Sequence, residues 1–99
     1  MSVPPVSLSS LASGLGNVIR LKALRELAAG EPLMTVELAE RTGVKANALA
    51  RHLKVLLAAG MVTQNRAGQY SIPPERLTSK EARNVDYGSC LLRLGGKTG

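Results

Sequence analysis

The stretch from Thr35 to Gly60 places the strongest constraint on the fold, because it holds two amphipathic helix patterns separated by a short break at Gly43. In the second pattern leucine recurs at spacings of three and four, which puts these side chains on one face of a helix. These leucines are Leu49, Leu53, Leu56 and Leu57. Glycine at the break tolerates the positive φ that a sharp turn often needs. The stretch therefore predicts a helix, a tight turn and a second helix.

The two predicted helices differ in what their outer surfaces carry. We expect Thr35 to be the N-cap of the helix before the turn, with Glu37 near its positive end. The outer face of the helix after the turn has polar and basic residues and no acid: Lys45, Asn47, Arg51 and Lys54. Such a pair is typical of a helix-turn-helix, whose second helix enters the major groove. A helical hairpin with a merely solvated outer face explains the helices equally well.

Length and charge narrow the class of protein. A chain of 99 residues has room for one small domain with a single core. Because the sequence has no Phe or Trp, the core must be largely aliphatic, which suits packed helices. Thirteen Lys and Arg against seven acids give a net charge of +6, and no acid occurs from Arg41 to Pro74. This balance favours a polyanionic partner.

A β-hairpin is predicted directly after the helical pair. Two short segments with the alternating side-chain pattern of β-strands flank turn-forming residues at 65–68. They predict a hairpin over Met61 to Ile72, with Arg66 at its tip. Leu33 and Met34 could pair with it as a short third strand. A hairpin that follows a basic helix is typical of a wing, where Arg66 would touch phosphate or the minor groove. A solvated Arg66 at an exposed tip is the alternative.

The chain divides into four predicted segments. Residues 1–13 begin with a Pro pair and are expected to be flexible. Residues 14–74 form the winged helix-turn-helix domain. Residues 75–94 are a C-terminal extension, in which 75–84 forms a turn or short helix and Val85 to Leu94 forms one strand or an extended arm. Residues 95–99 are expected to be a disordered tail. The fold class is thus mainly α with a small antiparallel β-hairpin (α+β) and an extra C-terminal strand or arm.

The domain is expected to open with a helix over Leu15 to Ala29. Its predicted inner face has apolar residues at helical spacing: Val18, Leu21, Leu24, Leu27 and Ala28. Ile19 lies off this stripe and is a candidate for contact with a second subunit. Gly30 and Pro32 end the helix.

The residues from Leu15 to Pro73 resemble the ArsR family of bacterial repressors. The resemblance is carried by LGNVIRLKALREL in the first helix, TVELAERTGVKANALARHLKVLLAAGMV in the helix-turn-helix and NRAGQYSI in the wing. It implies a homodimeric, DNA-binding transcription regulator. The sequence departs from the family at Ala50, where these proteins usually carry Ser, and so lacks a phosphate contact that the hydroxyl would offer.

Metal sensing, common in that family, is not expected here. Family members use Cys pairs on the first helix-turn-helix helix or clusters of His and acids on the last helix. This chain has only His52 and Cys90, and a zinc or arsenic site needs several converging ligands. We therefore expect no metal and no cofactor. A Cys90 pair could link two subunits, whereas a small buried Cys in a strand is the ordinary alternative.

Each polar residue of the predicted recognition surface has a chemical role. Lys45 and the helix N-terminus would hold a phosphate. Asn47 suits a bidentate contact to adenine, Arg51 one to guanine, and Ala48 is small enough to touch a thymine methyl. His52 lies at the edge of the leucine stripe, where a hydrogen-bonded structural role competes with phosphate contact. The predicted DNA-binding residues are Lys45, Asn47, Ala48, Arg51, His52, Lys54 and Arg66.

Other function classes have less support. The sequence has no Gly-rich phosphate loop, no Ser near a usable His and no acid pair on one face, so we expect no enzyme. A winged-helix module for protein interaction or dimerisation, without specific DNA binding, is the remaining alternative. The salt dependence of binding distinguishes these two functions, because phosphate contacts weaken steeply as the salt concentration rises.

Partners and location follow from the same sequence. We expect double-stranded DNA as the partner and a homodimer through the first helix and the Val85 to Leu94 segment, because one short reading helix binds weakly. The single cysteine demands no oxidising compartment. No apolar run approaches the ~20 residues that span a bilayer, and no signal peptide is evident. We expect a cytoplasmic protein with no membrane contact.

Overall fold

The computed structural model describes residues 5–7, 17–79, 81–88 and 90–94. The three helices are α1 (Val18–Leu27), α2 (Thr35–Thr42) and α3 (Ala46–Ala58). A hairpin of β1 (Thr63–Gln64) and β2 (Tyr70–Ser71) follows, then a 3-10 turn (Pro74–Arg76) and the strands β3 (Leu77–Ser79), β4 (Asn84–Asp86) and β5 (Leu91–Arg93). Both sheets are antiparallel, with the orders β1-β2 and β3-β4-β5. The architecture confirms the predicted α+β winged helix-turn-helix.

Some predictions concern residues outside this description. The expected disordered tail, 95–99, and most of the expected flexible segment, 1–13, lie there. None of the helices in the described part of the chain has the length and apolar character needed to cross a bilayer.

Helix α1 begins later than its apolar pattern predicts. Asn17 is the N-cap, and its Oδ1 accepts the N–H of Ile19 at 2.8 Å, so the helix starts at Val18 rather than at Leu15. The prediction that Val18 faces the core is wrong, because its side chain is 67% exposed. Val18 lies six residues before the buried Leu24, and this separation places the two side chains about 120° apart around the helix. Ile19, expected off the stripe, packs against the core instead.

Helix α2 is capped by a different group from the one predicted. Thr35 is already helical, and the N-cap residue is Met34. The Glu37 carboxylate accepts the Met34 N–H at 2.7 Å, which satisfies a donor at the helix start and places the negative charge at the positive helix end. The prediction of Thr35 as N-cap is therefore wrong. At the other end Gly43 adopts a φ of 75°, which turns the chain sharply into α3.

The leucine stripe of α3 is narrower than predicted. Leu49, Leu53 and Leu56 are fully buried beneath α1 and α2, whereas Leu57 is 36% exposed. Leu57 lies at about 80° from Leu49 around the helix, at the edge of the covered face. The prediction that Leu57 belongs to the core is wrong.

The predicted wing is present and is tied to the helices. Leu33 and Tyr70 exchange two backbone hydrogen bonds of 2.9 and 2.8 Å, so the expected third strand is a single bridge. At the tip, the Asn65 side-chain oxygen accepts the Gln69 N–H at 2.9 Å, and the Gly68 N–H donates to the Asn65 carbonyl at 3.0 Å. These bonds define the turn that carries Arg66.

The prediction of one strand over Val85 to Leu94 is wrong, because the chain reverses between β4 and β5 and the two strands pair with each other. Gly88 has a φ of 88°, and the Asp86 carboxylate accepts its N–H at 2.8 Å. These features form the turn. The preceding residues 75–84, predicted as a turn or short helix, do contribute part of the 3-10 turn, but they also contain all of β3 and the first residue of β4.

The C-terminal sheet shares the core of the helical domain. Val85 and Tyr87 are fully buried, and the Tyr87 hydroxyl donates to the Met61 carbonyl at 2.8 Å. Burial raises the pKa of Tyr87, and the positive charge of Arg76, whose guanidinium carbon lies 5.9 Å from the ring centroid, opposes part of that increase. The phenol therefore stays protonated as a donor and joins the sheet to the segment that follows α3.

Candidate nucleic-acid interface

The outer face of α3 presents the polar residues that its sequence predicts. Asn47, Arg51 and Lys54 are all exposed and lie on the side opposite the buried leucines. Lys45 is also exposed and occupies the N-cap position, with its N–H and those of the first turn at the helix start. The structure thus brings four of the predicted contacts together along one helix.

Positive charge on this surface is not balanced by acids. Within residues 17–79, the ion pair found is Arg41 with Glu31, at 3.4 Å between two exposed side chains, which contributes little to stability. In the described part of the chain, Lys45, Arg51 and Lys54 have no salt bridge, and neither does Arg66 at the hairpin tip. Their charge is available to a polyanion.

Asn47 is held in a local contact in the free chain. Its Oδ1 accepts the N–H of Ala48 at 2.9 Å. A bidentate contact to adenine needs both the oxygen and the amide NH₂ group, so Asn47 would have to rotate before it could read a base.

Ala48 and His52 lie on the flank of α3 that faces α1, and both are half-buried. His52 Nδ1 accepts a hydrogen bond from Arg20 Nε at 3.1 Å. Its position agrees with the structural interpretation of the histidine, since the ring is fixed by a neighbouring helix. Neither residue belongs to the exposed outer face.

A groove between α1 and α3 runs along this flank. It has a volume of about 380 Å³ and is lined by Arg20, Ala48, Arg51, His52 and Val55. No acid lines it. Arg20 was not identified from the sequence. On the polar side of α1 it is expected to be an ordinary solvent-exposed side chain, and no local pattern shows which helix packs beside it.

The remaining predicted chemistry concerns metals and thiols. Among the described residues, no group of three or more His, Cys, Asp or Glu side chains is arranged to hold a metal ion. Cys90 carries a free thiol, is half-buried and packs against the core.

Comparison with known protein families matches residues 15–65 to a helix-turn-helix domain. The match covers about half of the chain and includes α1, α2, α3 and β1. A comparison with curated proteins finds no significant match. The order of the helices and the sharp turn at Gly43 are those of a helix-turn-helix. The chain belongs to the helix-turn-helix domain family.

Proposed function

We propose that this protein is a sequence-specific, DNA-binding transcriptional regulator of the repressor type, similar to ArsR-family proteins. Helix α3 would lie in the major groove and the β1–β2 hairpin on the flank. The observation that carries the proposal is the exposed, unpaired positive face of α3 within a helix-turn-helix fold. The acid-free span continues from this face to Arg66 at the hairpin tip.

Individual residues have distinct roles in this proposal. Arg51 reads guanine and Asn47 reads adenine, because each presents two hydrogen-bonding atoms to one base. Lys45 and Lys54 neutralise phosphates, and Arg66 contacts the backbone or the minor groove beside the main site. His52 supports the surface through its bond with Arg20 rather than by contacting a phosphate. Ala48 contributes a small side chain that permits close approach.

The protein acts as a homodimer in this proposal, through α1 and the outer side of the Val85 to Leu94 segment. Val85 and Tyr87 are used by the core of their own domain, so β5 provides the available contact. Leu91 on β5 is 49% exposed, and Val18 on α1 is exposed as well. Two subunits place two copies of α3 on half-sites about one helical turn, ~34 Å, apart.

A protein-interaction module is the second candidate function. It is favoured by Val36, an apolar residue on α2 whose side chain is 63% exposed. A partner held by such apolar contacts would bind with little dependence on salt, whereas phosphate contacts release counterions and weaken steeply as salt rises.

The proposal is tested by selecting bound duplexes from a random DNA library with the wild type and with Arg51→Ala and Arg66→Ala. The wild type should enrich a palindromic site. Arg51→Ala should lose preference at one base pair, at a cost of ~1 to 3 kcal/mol of discrimination, because its bidentate contact is absent. Arg66→Ala should weaken binding to all sequences alike.

The same selection tests the subunit arrangement. Enrichment of a single half-site would indicate that a monomer binds DNA specifically, and it would contradict the proposed dimer. Enrichment patterns that do not differ among the three proteins would remove the roles assigned to Arg51 and Arg66.

A further inference from the structure

The groove between α1 and α3 has a composition suited to an anion. Two arginines and a histidine line it, from two helices, together with the small apolar side chains of Ala48 and Val55. Because none of the described lining residues is an acid, an anion there would meet positive charge without a carboxylate from these side chains. The volume of about 380 Å³ accommodates a phosphate group and its ester oxygens.

The Arg20–His52 hydrogen bond orients the guanidinium group in this groove. Arg20 Nε donates to His52 Nδ1 at 3.1 Å, so Nδ1 is the acceptor in this bond. Because a guanidinium group is planar, fixing Nε also fixes the plane in which its terminal nitrogens lie. Oriented arginines of this kind suit oxyanions, which accept parallel N–H bonds.

The groove opens beside the surface assigned to DNA. Arg51 lines it and is also exposed on the outer face of α3. A duplex that places a major groove over α3 would therefore bring one of its flanking strands toward the α1 side of that helix. The backbone phosphates of that strand are the anions nearest to Arg20.

We propose that this groove is an oxyanion site that holds a backbone phosphate of the bound duplex, with Arg20 contacting the phosphate and His52 positioning Arg20. The inference rests on the proposed DNA-binding function and adds a contact from α1, outside the helix-turn-helix pair. It also gives His52 a function as a positioning residue.

The test compares the salt dependence of duplex binding for the wild type and Arg20→Gln. The variant should bind about tenfold more weakly, because a charge-assisted contact is lost. The slope of log affinity against log salt should become shallower by about 0.9, the value for one phosphate. Lys22→Gln is the matched control, since it removes one exposed charge from the same helix outside this groove, and its slope should equal that of the wild type.

Two variants of His52 separate positioning from simple support of the fold. His52→Leu removes the acceptor for Arg20 and should make the slope of log affinity against log salt shallower. His52→Gln retains a side-chain acceptor, so its slope should lie between those of His52→Leu and the wild type. In a double-mutant cycle, His52→Leu should weaken binding further only slightly once Arg20→Gln is present, because the two residues act as a unit. Equal salt slopes in the wild type, Arg20→Gln and His52→Leu would overturn the proposal.

A second probe, inorganic phosphate, separates failure of this proposal from failure of the proposed function. Titration of the wild type should shift the His52 imidazole NMR signals saturably, and Arg20→Gln should abolish the shift. If phosphate binds in this way but the duplex slopes are equal, the groove is a site for a free anion and the assigned occupant is wrong. If the wild type binds no duplex, both the proposed function and this occupant fail, whatever phosphate does.

Discussion

The double substitution Arg51→Glu with Lys54→Glu should reduce the affinity for duplex DNA by at least about 100-fold at moderate salt. Both side chains are exposed on the outer face of α3, and neither has a salt bridge within the described residues. The change removes the proposed guanine contact and a phosphate contact, and it adds two negative charges facing the backbone. Binding of a labelled duplex, measured by fluorescence anisotropy over a range of salt concentrations, provides the comparison.

The matched control is Lys22→Glu with Arg41→Glu, which changes the net charge of the chain by the same amount. These side chains are exposed on α1 and α2, where both line a groove away from the outer face of α3. Only the long-range attraction should weaken, so we expect a loss of a few-fold that disappears at high salt. Equal losses in the two double variants would show that net charge, and not the α3 surface, governs binding.

Leu53→Ala should lower the free energy of unfolding by about 2 to 5 kcal/mol, because it removes a fully buried side chain and leaves a cavity. Leu53 lies at the centre of the stripe that packs α3 against α1 and α2. The loss also loosens the attachment of the candidate recognition helix. Urea unfolding followed by circular dichroism measures the effect.

The control is Leu57→Ala, the same chemical change four residues further along α3. Leu57 is 36% exposed, so its truncation leaves little or no closed cavity, and the cost should stay below about 1 kcal/mol. Similar losses for the two variants would contradict the burial found for this helix.

The helical core and the hairpin were predictable because their signals are local. The spacing of Leu49, Leu53 and Leu56 determines a buried face of α3, and positive φ at Gly43 ends α2. The turn formers before Gly68 similarly fix the hairpin. Each of these features depends on a few neighbouring residues, which a single sequence displays.

Other features depend on contacts between distant segments. Periodicity placed Leu57 in the core, but burial at the edge of a stripe depends on how far the partner helices extend over it. Likewise, Val85 to Leu94 has strand-forming residues throughout, and this local pattern does not show that β5 pairs with β4, which in turn pairs with β3. The Tyr87 hydroxyl bond joins residues 26 positions apart and has no local signal.

In the candidate site, too, some features are visible in the local sequence and others depend on contacts between distant segments. The sequence indicates the outer face of α3, because Asn47, Arg51 and Lys54 recur on one side of a helix. It does not show that His52 receives a bond from Arg20, 32 residues away, since this contact requires α1 and α3 to pack together. The roles assigned to Lys45, Arg51 and Arg66 in binding DNA stay predictions.

The most direct test of the central claim, that α3 and the hairpin tip form one DNA-binding surface, is an NMR titration of isotope-labelled protein with the selected duplex. Backbone amide signals should change most over residues 45–54 and 65–68, and least in the β3-β4-β5 sheet. Changes confined to that sheet, or none in α3 on saturation, would contradict the account.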